Sequence, residues 1–157
     1  MTTNGIAQIA VIGAGLMGHG IAQEFASAGY QVHLHDVTDE QLQIARTQIE
    51  KNLGVLAESA IIEEDSIYPT LQRIQTATEL EAVAENADFV VEAVTENLAL
   101  KQQIFDKLDA TCPPHAILAS NTTALMPSQI GENAKRKDQI LNTHYLCLLY
   151  TSDAADE

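Results

Sequence analysis

The sequence predicts an α/β fold: a parallel β-sheet with helices on both faces. Three observations point there. Short apolar runs alternate along the chain with longer segments whose apolar residues recur every three or four positions. Residues 6–12 and 88–94 are nearly unbroken apolar runs, as expected of strands buried on both sides. Glycines close the first of these runs and a helical pattern follows at once, the strand-to-helix step from which parallel sheets are built.

Each element can be justified in turn. Residues 6–12 are the first strand. Ile21, Ala22, Phe25 and Ala26 carry helical spacing over residues 15–28, and Gly29 stops it. Residues 31–36 are a second strand, with Val32 and Leu34 alternating against His33 and His35. Thr38 and Gln41 can form a capping box. It opens a helix whose buried face is Leu42, Ala45, Ile49, Leu53 and Leu56. Residues 61–71 predict more helix, broken by Pro69. A short strand over 74–77 follows, then a short helix with a second capping box, Thr78 with Glu81. Residues 88–94 (DFVVEAV) are the clearest later strand, and 98–108 an amphipathic helix. A strand over 116–119, one helical turn over 127–131 and a strand over 139–146 complete the pattern. Crossovers of this kind are right-handed.

Composition narrows the functional classes. The chain has 157 residues, enough for one domain with a real core. Its formal net charge is −14, from 22 acidic and 8 basic residues. Such a surface repels nucleic-acid phosphates and anionic membranes, so neither is expected as a partner. No apolar run approaches the ~20 residues of a membrane helix. The start of the chain has neither a signal-peptide pattern nor an arginine-rich amphipathic stretch. Cys112 and Cys147 are too few and too distant for a disulfide framework, so a reducing cytoplasm is the simplest setting. The Cys112-Pro-Pro-His115 cluster offers too few ligands for a metal site, and none is expected.

The first turn carries the chemistry. In VIGAGLMGHG, residues 11–20, Gly13, Gly15 and Gly18 fill the GxGxxG spacing. Gly13 permits the tight turn, Gly15 lets the backbone approach a pyrophosphate, and Gly18 lets helix and strand pack closely. The pyrophosphate would rest on free N–H groups at the helix start, a local answer to the chain's negative charge. Asp36 ends the second strand about twenty residues beyond the turn, where a ribose 2′-hydroxyl needs an acceptor. These features together predict a Rossmann-type dinucleotide site. Asp36 would repel a 2′-phosphate, and Val37, Thr38 and Asp39 supply no arginine for one, so NAD is expected over NADP. Taken alone, Asp36 could also cap the loop that follows it.

Four segments together resemble the N-terminal domain of the 3-hydroxyacyl-CoA dehydrogenase family. They are VIGAGLMGHGIAQEFASAGYQVHLHD (11–36), DFVVEAVTENLALKQQIFDKLD (88–109), ILASNTTAL (117–125) and LNTHYL (141–146). The resemblance implies roles for single residues. Met17 and Asp36 would line the adenosine side of NAD. Val94, Thr95 and Glu96 would lie beside the cofactor, and Lys101 would reach cofactor or substrate from the next helix. Asn121 would support the nicotinamide end. Thr123 stands where the family usually has a serine that contacts the substrate oxygen. His144 stands where the family places its catalytic base. Without the family pattern, Glu96 and Lys101 read as helix-surface charges, Thr123 as a turn or cap residue and His144 as a structural histidine. His19, His33, His35 and His115 read as surface or structural throughout.

The resemblance further implies an acyl-CoA substrate and a homodimer for the intact enzyme. It also sets an expected boundary. The family's Asn-Pro after the histidine is replaced here, and residues 147–157, CLLYTSDAADE, match a translated sequencing-library adapter. The sequence is therefore read as a cofactor domain over 1–146 followed by a non-native tail. The carboxylate that orients the family's histidine and the helical C-terminal domain are not in this sequence, so binding without turnover is expected. A related 3-hydroxy-acid dehydrogenase of the carnitine or gulonate type, and a non-catalytic NAD-binding module, are the alternative readings.

Overall fold

In the computed structural model, which describes residues 5–145, the first apolar run forms β1 (Gln8–Ile12). It passes through the glycine turn into α1 (Leu16–Ser27) and returns as β2 (Gln31–His35). Then come α2 (Asp39–Glu58), α3 (Ile67–Gln72) and β3 (Ile74–Ala77). The second half repeats the alternation: α4 (Leu80–Ala84), β4 (Phe89–Glu92), α5 (Leu98–Thr111), β5 (Ile117–Asn121), α6 (Pro127–Ile130) and β6 (Ile140–Thr143). The expected boundary after Leu146 and the tail 147–157 lie outside the described residues.

The six strands are all parallel, in the order β3-β2-β1-β4-β5-β6. This is the doubly wound order of the Rossmann fold, with helices on both faces. The period-2 geometry of strands explains the paired cores. Ile9, Val11 and Val91 face a cluster with Ile21, Ala22, Leu42, Ile49 and Leu53 from α1 and α2. Ala10, Ile12 and Val90 face the opposite cluster, with Val83, Phe105, Leu108 and Ile130. Because both sides of β1 and β4 are covered, their sequences show no polar alternation. None of the described helices is long and apolar enough to cross a membrane.

Several expectations are corrected. The helix expected over 61–71 begins only with a 3-10 turn at Glu64–Ser66 and continues as α3. Pro69 does not break it. It lies in the first turn, where the missing N–H has no intrahelical partner to lose. The Thr78–Glu81 capping box is not formed: Glu79 is the N-cap of α4 and makes no side-chain cap bond. The Thr38–Gln41 box is half formed. The Thr38 hydroxyl accepts the Gln41 N–H at 3.2 Å, but the Gln41 side chain donates instead to the Ala14 carbonyl at 3.0 Å. Gln41 thus ties α2 to the glycine turn. The strand expected over 88–94 ends at Glu92, and α5 runs to Thr111 rather than Leu108, capped at its start by Asn97.

Candidate cofactor site

Strand order reverses between β1 and β4, and the connections that follow them lead to opposite sides of the sheet. A crevice must therefore open beyond their C-terminal ends. Gly13, at the end of β1, has φ +98°, and a Cβ there would stand 2.9 Å from the Ala93 carbonyl oxygen and 3.1 Å from Val94 Cγ1. A Cβ on Gly18 would lie 1.7 Å from the Gly13 carbonyl oxygen, so α1 packs on the turn only because that position is glycine. Gly15 is different. Its φ is −69°, open to any residue, and a Cβ would meet nothing within 4 Å. The protein itself has no need of glycine there.

Gly15 is also the N-cap of α1 and makes no side-chain cap bond, and the first turn has no acidic residue. The helix start therefore presents N–H groups and the positive dipole end to whatever approaches Gly15. Asp36 follows β2. One carboxylate oxygen accepts the Ala14 N–H at 2.8 Å, and the other accepts the Val37 N–H at 2.8 Å. It does cap its loop, but each oxygen keeps a lone pair for a further donor. Gly13, Gly15, Asp36, Val94 and Thr95 line one groove of about 640 Å³ with Val37, Gln41, Thr78, Glu79, Ile104 and Lys107. His35, read as structural, also borders it. Burial lowers the His35 pKa, against the pull of Asp36 and a Thr78 backbone bond. A space at Gly15 that any side chain would enter, beside uncapped helix N–H groups and an acid, fits a dinucleotide. Met17 lies elsewhere: it packs on the apolar cluster beneath α1 and is not part of the groove wall.

Beyond the other end of the groove the structure departs from expectation. Lys101 is completely buried. Its ammonium donates to both oxygens of Glu92, at 2.8 and 2.9 Å, and reaches neither solvent nor the groove. Neither the surface reading nor the reach toward a ligand describes it. Glu92, which sequence reasoning passed over as part of an apolar strand, is also fully buried and accepts the Ser120 hydroxyl at 2.5 Å and the Val94 N–H at 2.7 Å. Nothing local in the sequence marks it, because its partners come from α5 and β5. Glu96 is 44% exposed, lies 3.6 Å from the Lys101 ammonium and accepts the hydroxyl of the buried Thr122. Burial alone would raise the Glu96 pKa, but the Thr122 bond and the Lys101 charge bring it below its ordinary value.

Thr123 and His144 are both exposed and follow adjacent parallel strands, β5 and β6, whose register pairs Asn121 with Thr143. The same end of the sheet thus carries both groups. Asn121 accepts the Tyr145 N–H at 2.8 Å, which holds the backbone just past His144. Among the described residues no side chain bonds the His144 imidazole.

Comparison with known proteins decides the family. The profile described as "3-hydroxyacyl-CoA dehydrogenase, NAD binding domain" matches residues 8–148. The chain belongs to this NAD-binding domain family. The "Probable 3-hydroxybutyryl-CoA dehydrogenase" of Bacillus subtilis is 40% identical over 141 residues, covering 90% of this chain and 49% of the relative. The mitochondrial hydroxyacyl-coenzyme A dehydrogenase of Rattus norvegicus is 37% identical over 145 residues, covering 89% of this chain and 46% of the relative. The crystal structure of 3-hydroxybutyryl-CoA dehydrogenase from Escherichia coli K12 superposes with a TM-score of 0.86 at 33% identity, covering 90% of this chain and 30% of that one. The chain therefore spans half or less of the length of these relatives. NAD is the cofactor of this 3-hydroxyacyl-CoA dehydrogenase domain family, in agreement with the open space at Gly15 and the acid at Asp36.

Proposed function

We propose that this domain serves an enzyme that oxidises an L-3-hydroxyacyl-CoA to the 3-ketoacyl-CoA. The observation that carries the reading is the placement of a hydroxyl, Thr123, and an imidazole, His144, after adjacent strands at the same sheet end as the NAD groove. The acyl-CoA class is supported by the names of the relatives. NAD, when bound, accepts a hydride from the substrate carbon. The chain's own residues do the rest. Thr123 holds the substrate oxygen, and a free nitrogen of the His144 imidazole takes the hydroxyl proton. Gly13, Gly15 and Gly18 shape the phosphate seat. Asp36 accepts from the adenosine ribose, while Val94, Thr95 and Glu96 flank the nicotinamide half. Lys101 and Asn121 act by holding Glu96 and the His144 segment.

A base works best when a carboxylate orients it. None bonds His144 among the described residues, so the chain by itself binds NAD without turnover. The intact enzyme is proposed as a homodimer, with no nucleic-acid or membrane partner. A reducing compartment such as the cytoplasm is part of the proposal; in any setting, burial pushes the Cys112 thiol up to about 11 and so keeps it protonated. The test is NAD reduction by the gene-length enzyme with L-3-hydroxybutyryl-CoA, L-carnitine and L-gulonate offered in turn. Activity confined to the CoA thioester, and inhibited by free CoA, is expected. Preference for either free acid would overturn the substrate assignment.

A further inference from the structure

We propose that Thr122 is a positioning residue that couples the two loops flanking the cleft, acting through Glu96 and the buried Lys101–Glu92 pair. The functional consequence rests on the cofactor reading above; the coupling itself does not. The two loops are distant in sequence. One, residues 93–97, joins β4 to α5 and carries Val94 and Thr95 of the groove wall. The other, residues 122–126, joins β5 to α6 and carries Thr123.

A closed circuit of side chains joins them. The Thr122 hydroxyl donates to Glu96 and accepts the Leu125 N–H at 3.2 Å. Glu96 lies on the Lys101 ammonium, which is bonded to both oxygens of Glu92. Glu92 in turn holds the Val94 N–H of the first loop and the hydroxyl of Ser120. Ser120 lies in β5 and Thr122 directly follows the last residue of that strand, so the circuit returns to its start. Its centre is dry: Glu92 and Lys101 are each 0% exposed. A charge pair in such surroundings tolerates little displacement, because a lost bond leaves a buried group unpaired. Thr122 is the member through which the loop bearing Thr123 meets this stiff core. Asn142 adds a second tie, donating to the Leu125 carbonyl at 2.7 Å. A threonine that only capped its own turn would bond Leu125 and stop there.

Hydrogen exchange on the chain without cofactor separates the two roles. In Thr122→Val, the amides of Leu125 and of Val94 should both exchange faster, by roughly tenfold, while Gly13 and Ala93 at the sheet centre stay protected. Thr122→Ser should restore both. Glu96→Ala, at an exposed position, should loosen Leu125 from the opposite side. Unchanged exchange at Val94 in Thr122→Val, or at Leu125 in Glu96→Ala, would overturn the coupling. In the same samples NADH affinity should fall about tenfold in Thr122→Val and recover in Thr122→Ser. A wild-type chain that fails to bind NADH would sink the cofactor reading, with the coupling still decided by exchange.

Discussion

A single methyl group separates the roles of the glycines in the first turn. At Gly18 it would meet the Gly13 carbonyl oxygen at 1.7 Å, so Gly18→Ala should cost about 1–3 kcal/mol or more, read from urea unfolding. At Gly15 it would meet nothing, so Gly15→Ala should leave stability unchanged or slightly higher while weakening NADH binding. The opposite pattern would mean that the space at Gly15 serves no ligand. Asp36→Ala should weaken NADH by about ten- to a hundredfold, the worth of one charge-assisted hydrogen bond, and erase discrimination against NADPH. These residues were legible in the sequence because their requirements are local: a turn, a close approach, an acid at a strand end. Glu92 was not. In DFVVEAV it sits among apolar residues, and only the fold brings Lys101 and Ser120 to it. Lys101 itself was noticed through the family pattern but given the wrong surroundings, since α5 turns it inward.

At the scale of elements, the strands were read well because burial on both faces leaves an apolar run that few other structures produce. Helix ends were read less well, because long-range contacts set them. Arg136 shows how. Its guanidinium donates to the carbonyls of Asp109, Cys112 and Pro113 and to the Asp109 carboxylate, closing the C-terminus of α5 from 24 residues away. Nothing within 98–108 announces that partner. Arg136→Ala should therefore cost about 2–3 kcal/mol, and Arg136→Lys should recover little because an ammonium cannot fork to several acceptors. Lys101→Met tests the link between β4 and α5. It leaves Glu92 buried and unpaired and should cost about 3–5 kcal/mol, whereas the double change with Glu92→Met should cost less than the single one. Equal losses for the single and double variants would show that the pair is not the source of the effect.

For the whole molecule, charge and burial together predict a protein weakened by acid in two stages. Burial lowers the pKa of His33 and of His35, so folding favours their neutral forms. Their contribution is complete above about pH 6.5 and declines as pH falls below it. Burial would raise Asp88 and Asp109, but the backbone N–H groups of Gln8 and Ala7 and the His115 ring bring Asp88 below its ordinary value, the Lys135 N–H and Arg136 do so for Asp109, and the Thr122 hydroxyl and Lys101 do so for Glu96. That second contribution is complete above about pH 4 and is lost as pH drops further. Thermal midpoints measured from pH 8 to pH 3 should fall in these two steps, and a midpoint that rises on acidification would contradict both. The doubly wound architecture was legible from strand and helix alternation alone. The arrangement of the far end of the cleft was not, since it depends on which loops the sheet order brings together. The central claim, that this fold presents an NAD site at its β1–β4 crevice, is tested most directly by titrating the purified chain with NADH and with NADPH and following cofactor fluorescence. Saturable NADH binding, at least about tenfold tighter than NADPH, is the predicted result. No NADH binding by a folded chain, or NADPH binding as tight as NADH, would contradict it.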